Sequence, residues 1–341
     1  MPISEKRLLT PKFSHIYIEE TVLEHPVSSS IIRHFPDSNI ITIRHYKDVF
    51  NRRKQNFHLQ KRSPKLILAT AKPPFLYRGA EVCENFGHGS FHCTSSILNC
   101  LFDCEYCYLP GRYTSANLVI FVNIEDILSH VQHLLRISSL YLCVSYDTDL
   151  LALDRLTSFL ARWLEFAAVN PDLLLEIRTK SGNTASILTR PPLDNCILAW
   201  TLSPDQVIKK YEKKTPSLDT RLRTISKLME HGWKIRLCFD PILRTPSWKK
   251  DYINCIHYTL SMLPARSIRD VSLGCFRMGK DYLKRARIIR PDSDLLWYPF
   301  KLENGVYTYP ECTRREMLNT VSREISRFLP REKIYCMGDF T

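Results

Sequence analysis

Residues 100–107 read Cys100-Leu101-Phe102-Asp103-Cys104-Glu105-Tyr106-Cys107, so a Cys-x3-Cys-x2-Cys spacing packs three cysteines into one short loop. A structural zinc or iron–sulfur site closes itself with a fourth ligand. Three thiolates instead hold three irons of a [4Fe-4S] cube and leave the fourth iron open to a substrate or cofactor. The competing reading recruits Cys93, through Cys93-x6-Cys100, as the fourth ligand of a zinc site. The open cluster is preferred because the loop follows a strand-like segment, the position in which (β/α) architectures build their sites.

Working outward, the chain alternates strand-like and helical segments from about residue 91. Runs rich in Val, Ile, Leu and aromatics at 91–98, 140–147, 173–180, 196–203, 234–241 and 269–277 predict six strands. Helical periodicity at 124–137, 152–168, 218–230 and 248–262 supplies crossovers, which imply a parallel sheet, either doubly wound or an open partial barrel. Polar residues gather at the C-terminal ends of these strands: Tyr146 to Asp149, Arg178 to Lys180, Thr201 and Ser203, Asp240, and Arg277. Residues 1–90 read as a small α/β appendage, with apolar runs at 16–18, 40–43 and 66–68 and a basic stretch from Arg52 to Arg62.

The chain has 341 residues and 12 cysteines, and Lys plus Arg exceed Asp plus Glu by 48 to 35, a formal charge of +13. No apolar run approaches the ~18 residues of a membrane span, and no signal-peptide core follows the first residues, so a soluble cytoplasmic protein is expected. In that setting the cysteines read as metal ligands and buried thiols rather than disulfides. Cys143, Cys196, Cys238 and Cys275 fall within strands as buried thiols. Cys83 and Cys93, with His88 and His92, fit no common ligand spacing. The positive charge favours a polyanionic partner. Arg277, Lys280, Lys284, Arg285, Arg287 and Arg290, with Tyr282 among them, follow the sixth strand as candidate phosphate contacts.

With Tyr106 directly before the last cysteine, the loop resembles the signature of the radical S-adenosylmethionine (SAM) superfamily. That resemblance implies a partial (β/α)6 barrel holding a [4Fe-4S] cluster at Cys100, Cys104 and Cys107. It further implies that SAM binds the open iron and yields a 5′-deoxyadenosyl radical. An ordered series is similar to the spore photoproduct lyase family: Tyr17-Ile-Glu-Glu, Leu23-Glu-His-Pro26, Cys104-Glu-Tyr-Cys-Tyr-Leu109, Val122-Asn-Ile-Glu-Asp-Ile-Leu128, Asp154-Arg-Leu-Thr157, Thr179-Lys180, Val207-Ile-Lys-Lys and Ser217-Leu-Asp219. The implied reaction reverses a UV-induced, methylene-bridged thymine dimer in DNA, with a flavodoxin or ferredoxin as electron donor. The likeness carries Lys180 over as the partner of the SAM carboxylate, with Thr148, Thr201, Ser203 and Asp240 around the cofactor. It carries Tyr106 and Tyr108 over as the tyrosines beside the last cluster cysteine.

Two departures stand out. Where the family has a hydrogen-donating cysteine after the second strand, this chain reads Ser145-Tyr146-Asp147-Thr148-Asp149, so Tyr146 stands at the place of the thiol and Cys143 lies three residues before it. Three residues along a strand reverse the face. Tyr146, Tyr108 or Cys143 is therefore the candidate hydrogen relay. The family's Arg-Tyr hairpin is replaced by Lys301-Leu-Glu-Asn-Gly305-Val-Tyr307, with Asn304-Gly305 as a turn and Lys301 as a further nucleic-acid contact. The expected organisation is an appendage over 1–90, the barrel over 91–280, and a nucleic-acid-facing extension with hairpin and helix over 281–341. A radical SAM enzyme acting on RNA, protein or a small molecule, or a non-catalytic iron–sulfur nucleic-acid-binding protein, remains as the alternative.

Overall fold

The computed structural model describes residues 11–80 and 83–337. It is a mixed α/β fold with two main sheets. The smaller one has the order Asn39–Ile43, His15–Glu19, Leu66–Ala69, Leu118–Phe121, Ile97–Leu98, parallel except for its last pair. Its central strand, Leu66–Ala69, is buried at every position, which is why it reads as an unbroken apolar run rather than an alternation.

The larger sheet carries eight strands in the order Leu76–Arg78, Phe91–Thr94, Leu140–Cys143, Leu173–Thr179, Cys196–Thr201, Ile235–Ile242, Ile268–Cys275, Ile334–Cys336. All neighbours are parallel except the first pair. Strand order follows chain order and never reverses. A doubly wound sheet needs such a reversal, so that alternative is set aside. Helices Leu218–Glu230 and Trp248–Met262 have the bounds expected from periodicity. Ser217 caps the first of these by accepting from the Thr220 amide.

Three sequence expectations are corrected. The segment 91–98 is two strands, one in each sheet. The helix expected over 152–168 breaks at Ser158, whose φ of 55° interrupts the helical backbone, and Asp154 accepts the Leu160 amide beyond the break. Strands Leu76–Arg78 and Ile334–Cys336 extend the six-strand sheet, each too short to show a pattern. Because Leu76–Arg78 joins the large sheet while Ile97–Leu98 and Leu118–Phe121 complete the small one, the two sheets interleave across residue 90.

At the C-terminal side, Arg277–Gly279 pairs with a hairpin of Lys301–Glu303 and Val306–Thr308. Its turn is Asn304-Gly305, with φ of 48° and 78°, the left-handed pair that the tight hairpin requires. Helix Lys280–Ile289 packs against the short helix Leu109–Arg112 that follows the cysteine loop. Gly111 permits this approach, since a Cβ there would lie 2.5 Å from the Tyr282 Cα.

Candidate active site

The cysteine loop and the C-terminal ends of the parallel strands enclose a cavity of about 500 Å³. Cys100, Cys104 and Cys107 line it together with Tyr106, Tyr108, Tyr146, Thr148, Lys180, Thr201, Asp240 and Arg277. In the sequence these residues are scattered over the loop and the ends of successive strands.

The loop is held from behind. Asp103–Cys104 pairs antiparallel with Glu212–Lys213, and the Glu105 amide donates to the Tyr211 carbonyl at 2.8 Å. Glu212 is fully buried and accepts from the Tyr106 hydroxyl, from Ser203 Oγ at 2.9 Å and from Arg221. Arg221, also inaccessible, donates to the Thr201 carbonyl at 3.0 Å. A buried pair of this kind is held by mutual attraction and by hydrogen bonds to every remaining donor and acceptor. On the other flank Lys61 donates to the Cys100 carbonyl and Arg290 pairs with Asp103.

Burial pushes the Cys100 and Cys107 thiols up to about 11 and Cys104 to about 12. They therefore stand as thiols at neutral pH, and metal uptake would release their protons. Among the described residues no three His, Cys, Asp or Glu side chains converge as ligands of one ion. The three thiols lining one cavity are the donor set that a cluster with one open iron takes. Cys93, the fourth zinc ligand of the competing reading, lies in the strand Phe91–Thr94 opposite Cys143 and does not line the cavity.

Two features fit a polar cofactor beside the thiols. Thr148 Oγ1 is buried in the cavity wall without a hydrogen-bond partner, a costly condition that a ligand atom would relieve. Lys180 presents a cation: burial lowers its pKa, but Cys104 and Glu212 outweigh this and raise it above its ordinary value. Its backbone amide donates to Asp149 Oδ2 at 2.7 Å, which fixes the end of the third parallel strand. Asp149 also accepts from Thr179 and from the Ala152 amide. Lys180 Nζ lies 5.5 Å from the centre of the Tyr106 ring.

An ion cluster also lines the cavity. Arg277 donates to Asp240 at 2.7 and 3.0 Å, and Arg178 to the same carboxylate at 3.4 Å. Burial would raise the Asp240 pKa, yet Arg277 and Arg178 hold it below its ordinary value.

Other sequence candidates are placed differently. Ser203 does not line the cavity; its hydroxyl serves Glu212. Cys143 is buried beside Cys93, with its sulfur 3.9 Å from Ser145 Oγ, and is likewise absent from the wall. The Tyr108 hydroxyl donates to the Tyr146 carbonyl at 2.6 Å. Within the basic set, Lys280, Lys284 and Lys301 are exposed. Arg277 and Arg290 are instead ion-paired. Arg285 donates to the Tyr113 carbonyl at 3.3 Å, and Arg287 to the Leu296 carbonyl at 2.8 Å while covering the Trp297 ring. Sequence reasoning missed Glu212, Arg221 and Cys83 as parts of this site, since none stands in a motif. Arg178 was visible only as a polar strand end.

The spore photoproduct lyase family model matches residues 93–337. Spore photoproduct lyase of Bacillus subtilis (strain 168) is 22% identical over 342 residues, covering 94% of this chain and 96% of that protein. That of Geobacillus sp. (strain Y412MC61) is 21% identical over 248 residues, covering 69% and 73%. A solved structure of spore photoproduct lyase complexed with dinucleoside spore photoproduct superposes with a TM-score of 0.79 at 19% identity, covering 95% of this chain and 98% of that one. A mutant of that enzyme with bound AdoMet and dinucleoside spore photoproduct gives 0.80 at 19% identity, covering 96% and 98%.

Proposed function

The chain belongs to the spore photoproduct lyase family, and from that premise we propose that it is a radical SAM carbon–carbon lyase that reverses a UV-induced thymine dimer in DNA. The observation that carries the reading is the convergence of the three loop cysteines and the strand ends on one cavity. When bound, a [4Fe-4S] cluster and SAM supply the one-electron chemistry that starts hydrogen abstraction from the lesion.

In this reading Cys100, Cys104 and Cys107 hold three irons. Lys180 meets the SAM carboxylate as a desolvated cation, a charge-assisted contact favoured by its low-dielectric setting. Thr148 and Thr201 offer hydroxyls, and Asp240, braced by Arg277 and Arg178, offers a carboxylate. Glu212 and Arg221 hold the loop, while Ser203 acts through Glu212. Tyr106 and Tyr108 orient the loop through their hydrogen bonds. The unreversed strand order supports a partial (β/α)6 barrel with its site at the C-terminal strand ends.

The described part of the C-terminal extension, residues 281–337, faces the DNA in this proposal, and residues 338–341 lie outside the described residues. The cavity rim includes Tyr282 and Val306 from that extension. Lys280, Lys284 and Lys301 lie exposed nearby in sequence, suited to phosphate rather than base contacts. A damaged base step is cheaper to flip out than an intact one, which lets a lesion reach an enclosed centre. A flavodoxin or ferredoxin is proposed as electron donor. No helix among the described residues is long and apolar enough to cross a membrane.

The test is anaerobic reconstitution with iron and sulfide, reduction, and incubation with SAM and dinucleoside spore photoproduct. Formation of 5′-deoxyadenosine together with intact thymidine is expected. Absence of 5′-deoxyadenosine ends the radical SAM assignment, and its formation without thymidine ends the assignment of the lesion.

A further inference from the structure

Four of the twelve cysteines line the cavity: Cys100, Cys104, Cys107 and Cys83. Three are accounted for by the cluster. Cys83 precedes the strand Phe91–Thr94 and is held there from both sides. Its amide donates to the Ala80 carbonyl at 2.8 Å. Beyond it, Phe86 is buried against the Arg236 guanidinium, 3.4 Å from ring centre to Cζ, and packs edge-on to Tyr141 and Tyr335. That anchor draws the segment against the large sheet and brings a thiol to the wall that Tyr146 also forms.

We propose that Cys83 is the hydrogen-atom donor that quenches the thymine radical left when the methylene bridge of the lesion breaks, a role resting on the lyase reading above. Tyr146 occupies the sequence position of the family's donor, whereas Cys143 is sealed beneath the wall beside Cys93. Among the described residues, Cys83 is the remaining thiol with access to the cavity. The unpartnered Thr148 hydroxyl in the same wall independently marks this space as one that receives a polar ligand.

The state of the thiol suits hydrogen-atom transfer. Burial raises the Cys83 pKa, against the lowering pull of Arg277 and Arg178, so the S–H bond is kept at neutral pH. In the step, the S–H bond breaks homolytically and its hydrogen forms the new C–H bond of the thymine methyl group. The thiyl radical on Cys83 then takes one electron from a low-potential one-electron reductant, the class that also feeds the cluster, and one proton from solvent. This restores the thiol. Tyr146, beside Cys83 in the wall, packs against the lesion and positions it.

Two measurements on the reconstituted holoenzyme test this. In the first, anaerobic alkylation with N-ethylmaleimide is read by peptide mass spectrometry, with and without dinucleoside spore photoproduct. Cys83 should be labelled and then protected by the dinucleoside, and Cys143 should stay unlabelled. Labelling of Cys83 unaffected by the dinucleoside, or no labelling, overturns the proposal. In the second, repair is run in D2O, where the thiol carries deuterium. The wild type should place one deuterium in the repaired thymine methyl group, and Cys83→Ala should lower intact thymidine by about tenfold or more while 5′-deoxyadenosine still forms. Undiminished thymidine from Cys83→Ala, with diverted products from Tyr146→Phe, would make Tyr146 the donor and overturn the proposal. If the wild type forms 5′-deoxyadenosine but no thymidine, the lyase reading itself falls, a result distinct from loss confined to the Cys83 variant.

Discussion

Two buried ion networks in this protein have nearly the same chemistry and different neighbours. Glu212 and Arg221 pair behind the cysteine loop, where Glu212 also holds the Tyr106 hydroxyl and lies opposite Cys104 in a strand pair. Glu176, Arg236 and Asp270 pair within the large sheet, where Arg236 donates to Glu176 at 2.8 Å and to Asp270 at 2.9 Å and is covered by Phe86. Glu176 lies two residues before Arg178, and Arg236 four before Asp240, so on alternating strands this network forms a layer beneath the cavity wall. Buried charge alone therefore does not mark a site. Lining the cavity, or contact with the loop that carries the candidate ligands, does.

The most severe break is in the loop itself. Cys104→Ala should abolish the visible absorption of the reconstituted cluster and 5′-deoxyadenosine formation, because a cube anchored by three thiolates loses a corner. Full activity in that variant would detach the loop from the chemistry.

Arg236→Ala removes the guanidinium that joins Glu176 to Asp270, leaving Glu176 with Arg178 alone at 3.1 Å, and should cost about 3–5 kcal/mol in denaturant unfolding. SAM cleavage per folded molecule should persist. A loss of cleavage without a loss of stability would join the lower network to the site and erase the contrast.

Glu212→Gln keeps the side-chain shape and leaves the buried Arg221 without its anion, a change expected to cost about 3–5 kcal/mol. Here the reconstituted iron content should fall as well, since the strand opposite Cys104 loses its anchor. Unchanged iron would show that Glu212 serves packing alone.

Acid sharpens the comparison further. Burial raises the Glu176 pKa, but Arg178 and Arg236 outweigh it and hold the carboxyl below its ordinary value. A depressed carboxylate contributes stability above its unfolded pKa, about 4.3, and loses it as pH falls through the folded value. Unfolding free energy should thus decline more steeply below that pH in the wild type than in Glu176→Gln. Parallel declines would remove Glu176 from the account.

The smallest effect is at the surface. Lys284→Ala should reduce the slope of log affinity for DNA against log salt by about 1, whereas Arg287→Ala should leave the slope unchanged because its guanidinium is engaged with Leu296 and Trp297. Equal slopes for the two variants would move the phosphate path elsewhere.

Much of this was legible because it is local. Cys-x3-Cys-x2-Cys places its three candidate ligands in a single loop, and Leu218–Glu230 announces itself through apolar periodicity and the Ser217 cap. Lys180 and Asp240 were visible as polar ends of apolar runs. The basic residues after the sixth strand were visible as a cluster, but not their division into exposed Lys280 and Lys284 and the ion-paired Arg277 and Arg290.

From the sequence alone come the loop ligands, the alternating elements and the substitution of tyrosine at position 146, since each rests on residue type and short-range spacing. The tertiary structure decides which distant side chains share a wall. Tyr106 meets Glu212 across 106 residues, and Cys83, a cysteine with no motif around it, reaches the cavity while Cys143 is sealed beneath it. Such juxtapositions depend on the order of strands in the sheet and on where Phe86 packs, and that long-range packing leaves no periodic trace in the chain.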